Sequence, residues 1–210
     1  MTDSVGVARI AIVGLGLIGG SIARGVRSRG FTGEIVAFDQ RTDEVAYALE
    51  SGIVDGELGR IEDHDADLVV LAVPVLSLSE VLNALNLQGN QTDVVVTDVG
   101  SVKQVLLDAA VETYGEVPPW LLPGHPIAGS ERHGVRASSG DLFVNHRVIL
   151  TPDGQTSEVA LSTVSKLWQS LGAEITTMTV AHHDSVLAQT SHLPHLLAYA
   201  LVDTLSRQGD

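Results

Sequence analysis

Gly14, Gly16 and Gly19 stand in the run Gly-Leu-Gly-Leu-Ile-Gly-Gly-Ser, directly after a short apolar stretch. This spacing suits a pyrophosphate: Gly14 permits the turn, Gly16 lets backbone approach the phosphates, and Gly19 lets the next helix pack closely on the strand. Leu17 and Ile18 lie at the helix start, where backbone N–H groups and the positive dipole end face the ligand. Asp39 closes the next apolar run at the separation expected for a ribose contact, and its charge disfavours a 2′-phosphate, so NAD is the expected cofactor. Arg41 keeps NADP open, because its guanidinium could reach a 2′-phosphate or instead pair with Asp43 or Glu44. Val73 and Pro74, which end a third apolar run, complete the expected cofactor-binding set.

A second group of residues suits proton transfer. His125 is held between Gly124 and Pro126 in the segment Pro-Gly-His-Pro-Ile-Ala-Gly-Ser-Glu at 123–131. A neutral imidazole there, with a reference pKa of about 6.5, could take the proton of an alcohol while hydride leaves its carbon. A surface-loop histidine is the other reading. Ser101, in Thr-Asp-Val-Gly-Ser-Val-Lys at 97–103, fits either a helix N-cap or a hydroxyl that positions a substrate oxygen or an imidazole. Near the end, Ala181-His-His-Asp184 is followed by Ser191-His-Leu-Pro-His195. At roughly 100° per residue, Asp184, Ser191 and His195 share one helix face, with His192 beside it. Pro194 should kink that helix toward a cleft. His192 and His195 are spaced to ligate a metal, but no matching Asp, Glu or Cys completes a set, so no metal is expected.

The elements that must position these residues alternate. Strand signals at 9–13, 34–38, 67–73 and 93–97 are each followed by helical sequence, at about 19–29, 43–51, 78–85 and 102–114. Such alternation predicts an α/β, doubly wound, Rossmann-type sheet that is mostly parallel. Beyond Pro118-Pro119, a short strand at 120–122 leads into a polar stretch, 124–140, expected to be an active-site loop. A strand at 147–151, a helix at 157–171 and a strand at 174–179 should complete the sheet. A long Leu- and Ala-rich helix then runs from 181 to about 206, which puts the domain boundary near Val180: residues 1–179 for the dinucleotide-binding domain and 180–210 for the start of a second.

Composition narrows the partners. Twelve basic against 26 acidic residues give a net charge of -14, which repels nucleic acid and anionic membranes in the absence of a basic run. Only Lys103 and Lys166 are lysines, and cysteine is absent, so thiolate and disulfide chemistry is excluded. With a polar lead segment and no long apolar run, a cytoplasmic protein is expected.

Taken in order, GLGLIGGS at 14–21, TDVGSVK at 97–103, PGHPIAGSE at 123–131, Leu142-Phe143 with VILTP, and HD with SHLPH at 183–195 make the chain resemble the prephenate/arogenate dehydrogenase family. The first motif is generic; the PGHPIAGSE and SHLPH pair is specific. The resemblance covers about Arg9 to Asp203. It implies NAD(P)-dependent oxidative decarboxylation of prephenate or arogenate in tyrosine biosynthesis. His125 would receive the ring-hydroxyl proton and Ser101 would orient it. His195 would contact a substrate carboxylate, with Ser130 and His192 also in the substrate site, and Glu131 would gate the cleft. Both substrates are anionic small molecules. The alternative is a non-catalytic NAD-binding module. A β-hydroxyacid or imine dehydrogenase of similar layout would instead carry a catalytic lysine on the long helix. Family members continue into further helices that form a dimerisation domain and bring an arginine to the substrate. The single such helix here, with Leu193, Leu196, Leu197, Leu201 and Leu205, is therefore expected either to pack on a second subunit in a homodimer or to belong to a fragment.

Overall fold

The computed structural model describes residues 5–87 and 93–207. Strand β1 (Arg9–Val13) is buried from Ile10 onward and feeds the glycine loop, and α1 (Leu17–Ser28) follows. Helix α1 therefore starts two residues before the expected Gly19, with Gly16 at its N-cap. Next come β2 (Glu34–Phe38), α2 (Thr42–Glu50), the two-residue β3 (Gly56–Glu57), β4 (Leu68–Leu71), α3 (Leu78–Leu85), β5 (Val95–Asp98), α4 (Gln104–Tyr114) and β6 (Leu121–Leu122). All five pairings among these strands are parallel, in the order β3-β2-β1-β4-β5-β6. That is the doubly wound Rossmann order, whose ligand crevice opens beyond the carboxyl ends of β1 and β4, where the winding reverses.

Side chains along β1 alternate between two cores, as a strand buried on both faces requires. Ile10 and Ile12 join Phe31, Ile35, Phe143 and Trp168 on one side; Ala11 and Val13 join Leu82, Leu106 and Trp120 on the other.

The strands after β6 do not extend this sheet, contrary to the sequence expectation. Pro123 follows β6 at once and has no N–H to continue the ladder. The chain turns there into β7 (Gly124–Pro126), which pairs antiparallel with β8 (Arg147–Leu150). After α5 (Glu158–Ser170), β9 (Glu174–Thr177) lies parallel to β8, giving a separate three-stranded sheet in the order β7-β8-β9. The start of the expected active-site loop is thus a strand, and His125 is its central residue.

Helix α5 clamps the small sheet to the rest. Ser157 caps it, its hydroxyl accepting from the Ala160 N–H at 3.1 Å. Trp168, wholly buried, meets the equally buried Phe143 edge-on with ring centroids 5.2 Å apart. The indole N–H of Trp168 has no acceptor, so its contribution is packing alone.

The final helix is interrupted. Helix α6 (Val180–Leu187) passes into a π-helical turn at Ala188–His192 before α7 (Leu193–Ser206). Pro194 cannot donate to the carbonyl of Thr190, four residues back, and the widened turn occupies that stretch. Leu193, Leu196, Leu197, Leu201 and Leu205 of α7 are all exposed.

Trp168→Ala should cost about 3–5 kcal/mol in urea unfolding, as cavity formation at a buried aromatic does. Trp168→Phe should lose clearly less, since no hydrogen bond goes with the indole.

Candidate active site

The glycine loop is shaped by close approach. Gly14 has φ +102°, and a Cβ there would lie 2.4 Å from the Ala72 carbonyl oxygen at the end of β4. A Cβ on Gly19 would fall 2.0 Å from the Gly14 oxygen. Gly16 differs, because a Cβ there would meet nothing within 4 Å. The open space lies at the start of α1, whose first N–H groups, around Leu17 and Ile18, lack intrahelical partners and whose first turn carries no acid. An anion fits there.

Beside the loop is a cavity of about 500 Å³ lined by Gly14, Asp39, Arg41, Arg60, Val73 and Pro74, among others. The Asp39 carboxylate accepts the Leu15 N–H at 2.6 Å and the Arg41 N–H at 2.8 Å, so it braces the loop. It keeps lone pairs free for ribose hydroxyls. Of the two options for Arg41, the surface pairing forms: its guanidinium reaches Asp43 at 2.9 Å and Glu44 at 3.0 Å. The Asp43 pair is exposed on both sides and weak, whereas Glu44 is buried. Of the predicted cofactor residues, Gly14, Asp39, Arg41, Val73 and Pro74 line this cavity, whereas Gly16, Leu17, Ile18 and Gly19 belong to the loop and helix start and are not among its lining residues.

The second site is built around a buried charge pair that the motif reading did not single out. Lys103, at the N-cap of α4, is fully buried and donates from Nζ to Asp98 Oδ2 at 2.5 Å and to the Gly124 carbonyl at 2.7 Å. Burial lowers the Lys103 pKa, and Asp98 opposes that shift. Asp98 Oδ1 accepts the Gly124 N–H at 3.1 Å. Gly124 is gripped through both its N–H and its carbonyl, and His125 follows it.

The ring of His125 meets a second histidine. His125 Nδ1 lies 2.9 Å from Nε2 of the fully buried His183, whose Nδ1 lies 2.7 Å from Asp184 Oδ1. Asp184 in turn caps α4, accepting the Lys103 and Gln104 N–H groups at 2.9 Å each. Burial works against its ionisation, but these N–H groups and His183 outweigh that and hold its pKa below the usual carboxylate value. His125 is pushed down to about 3, first by burial and then by the neighbouring Lys103, His183 and His192. It is neutral at working pH.

His125 opens onto a cavity of about 610 Å³ that it shares with His146, Ser191 and His195. The structure therefore brings together His125 and His195, with His192 near enough to act electrostatically. Ser130 and Glu131 follow on the exposed loop and are not among the lining residues. Ser101 is exposed and is not the N-cap of α4; Asp184, from α6, supplies that cap, and His183 is the ring partner of His125. Asp184 turns away from the shared cavity toward α4, whereas Ser191 and His195 line it. His183, Asp98, Lys103 and His146 are the site residues that the motifs alone missed. The acid and the base flanking the turn at 98–103 carried a signal, as did the rarity of lysine. Among the described residues no group of three or more His, Asp or Glu is arranged to hold a metal ion.

Comparison with known proteins places this geometry. Residues 22–177 match the family model for the prephenate dehydrogenase nucleotide-binding domain, and residues 179–210 match that for the prephenate dehydrogenase dimerization domain. The chain is 38% identical over 203 residues to a cyclohexadienyl dehydrogenase of Zymomonas mobilis, covering 94% of this chain and 67% of that protein. It is 33% identical over 195 residues to a prephenate dehydrogenase of Lactococcus lactis, covering 92% of this chain but 53% of that one. The fold is similar to the crystal structure of prephenate dehydrogenase from A. aeolicus in complex with hydroxyphenyl propionate and NAD+, with a TM-score of 0.88 and 36% identity over 96% of this chain and 70% of that one.

His125 should show no titration in NMR between pH 8 and 5. Its folded pKa of about 3 lies below the value of about 6.5 for an unfolded imidazole, so between those limits the unfolded chain binds the extra proton. The His125 contribution to stability is complete above pH 6.5 and is lost as pH falls toward 3. Acidification should therefore destabilise His125→Asn less than the parent chain.

Proposed function

The chain belongs to the prephenate dehydrogenase family, and from that premise we propose that it catalyses NAD-dependent oxidative decarboxylation of prephenate or arogenate. The observation that carries this is His125, a neutral imidazole beside the ends of the parallel sheet, opening onto a cavity with His195. NAD, bound with its pyrophosphate at Gly16 and the start of α1 and its ribose at Asp39, supplies the hydride acceptor. His125 takes the ring-hydroxyl proton as the carbinol carbon is oxidised. The ring carboxylate bond then breaks, CO2 leaves, its electron pair aromatises the ring, and the proton returns to the ring oxygen. His195, with Ser191 beside it on the same wall, contacts a substrate carboxylate. Ser101, Ser130, Glu131 and His192 complete the substrate-facing set, from the exposed turns and helix around the cavity mouth.

The unit boundary falls at residues 179–180, where the small sheet gives way to α6. The exposed leucines of α7 pack in a homodimer, consistent with the dimerization-domain match over this stretch. We propose a cytoplasmic location; no helix among the described residues is long and apolar enough to cross a membrane.

Mixing the protein with NAD and either prephenate or arogenate should raise absorbance at 340 nm, and His125→Asn should abolish the signal while retaining NAD binding by calorimetry. Absence of turnover with both substrates would refute the reading. Asp39→Ser should weaken NAD binding and narrow the preference over NADP, measured as the ratio of the two kcat/KM values.

A further inference from the structure

The hydrogen-bond roles around His125 follow from a single acceptor at one end of the chain of contacts. Asp184 is ionised and can only accept, and its oxygens already take the Lys103 and Gln104 N–H groups. His183 Nδ1, 2.7 Å from Oδ1, must therefore carry a proton. In the neutral ring its Nε2 is then a lone pair. His125 Nδ1, 2.9 Å away, can bond to it only by donating. Nε2 of His125 is left unprotonated.

We propose that His183 and Asp184 are positioning residues that lock His125 into the Nδ1–H tautomer, so that its Nε2 is the atom available to accept a substrate proton.

The competing arrangement has His183 as an imidazolium donating from Nε2, which would force the proton of His125 onto its own Nε2 and remove the base. Burial and charge oppose it. His183 is fully buried, and the Asp184 charge already faces the N-terminus of α4 and the Lys103 ammonium. Of the groups that face His125, Lys103 from the start of α4 is paired with Asp98 and His192 lies on the π turn, which leaves Asp184 as the counter-charge for an imidazolium at His183, and both Asp184 oxygens already accept N–H groups of α4. In the locked arrangement, a proton arriving at Nε2 makes an imidazolium whose Nδ1–H already points at His183, with Asp184 behind it. No atom has to move. The relay also joins the two matched regions of the chain: the base sits on β7 of the first, and both positioning residues sit on α6 of the second.

The catalytic value of the relay rests on the proposed role of His125, but the tautomer can be measured without substrate. Long-range 15N–1H correlation spectra of the unmodified protein at pH 7.5 should show His125 and His183 both neutral, each protonated at Nδ1. A proton on Nε2 of His125, or on both nitrogens of His183, would overturn the proposal even if turnover depends on His125. Conversely, a chain with the expected tautomers and no turnover would uphold the relay and refute the proposed reaction. In an active enzyme, His183→Leu should lower kcat on the order of 10²-fold with KM little changed. His183→Gln, whose carbonyl can still accept from Nδ1, should recover most of it. Equal losses in the two variants would reject positioning in favour of packing, and the spectra of the unmodified protein decide the matter if either variant fails to fold.

Discussion

The buried ion pair between Lys103 and Asp98 fastens the two sheets to each other. Two charges removed from water persist only where their hydrogen-bonding capacity is filled, and removal of one partner from such a pair costs about 3–5 kcal/mol. Here the capacity is filled by Gly124, which donates to Asp98 and accepts from Lys103, and by the Gly100 N–H, which also donates to Asp98. Satisfying the pair and fixing the residue before His125 are the same set of contacts. Space enforces the arrangement further, because a Cβ at Gly124 would lie 3.1 Å from the Asp98 carbonyl oxygen. The end of β5, the start of α4 and the first residue of β7 therefore cannot shift independently.

Two helix N-termini meet the crevice and are used in opposite ways. That of α1 stays open, with no acid in its first turn and empty space at Gly16, as an anion-binding end must. That of α4 is filled by Asp184, so its dipole holds a protein carboxylate in the ionised state and acts on His125 only through His183. In an acidic chain of net charge -14, burial, Lys103 and the neighbouring histidines lower the affinity of His125 for protons.

The π turn at Ala188–His192 has a comparable double effect. It occupies the stretch where Pro194 withholds a hydrogen bond, and it lies where Thr190, Ser191 and His195 line the cavity with His125. Widened turns of this kind let a helix present adjacent residues that regular geometry would spread around its axis. The side chains of α7 beyond it carry their leucines to the surface.

The glycine loop, the buried strands and the placement of Asp39 and His125 near the ends of strands were legible in the sequence because each depends on local geometry: a positive φ at Gly14, a run of β-branched residues, a proline that ends a ladder. The cofactor crevice was readable for the same reason, since β1, its loop and β2 are consecutive. The limits appear at Pro123, where the two strands expected beyond it looked like more of one sheet and β7 read as loop, and at Ser101, where a local N-cap preference lost to a carboxylate 81 positions away from Lys103. His183, 58 positions from His125, gave no local sign of being its partner. Sequence by itself determined the fold class, the cofactor loop and the candidate base, while the tertiary structure alone decided which nitrogen of that base is free and what holds its charge. The physical reason is that backbone conformation is set mainly by neighbours along the chain, whereas a buried charge or imidazole takes its partner from whatever the packing brings within hydrogen-bonding distance.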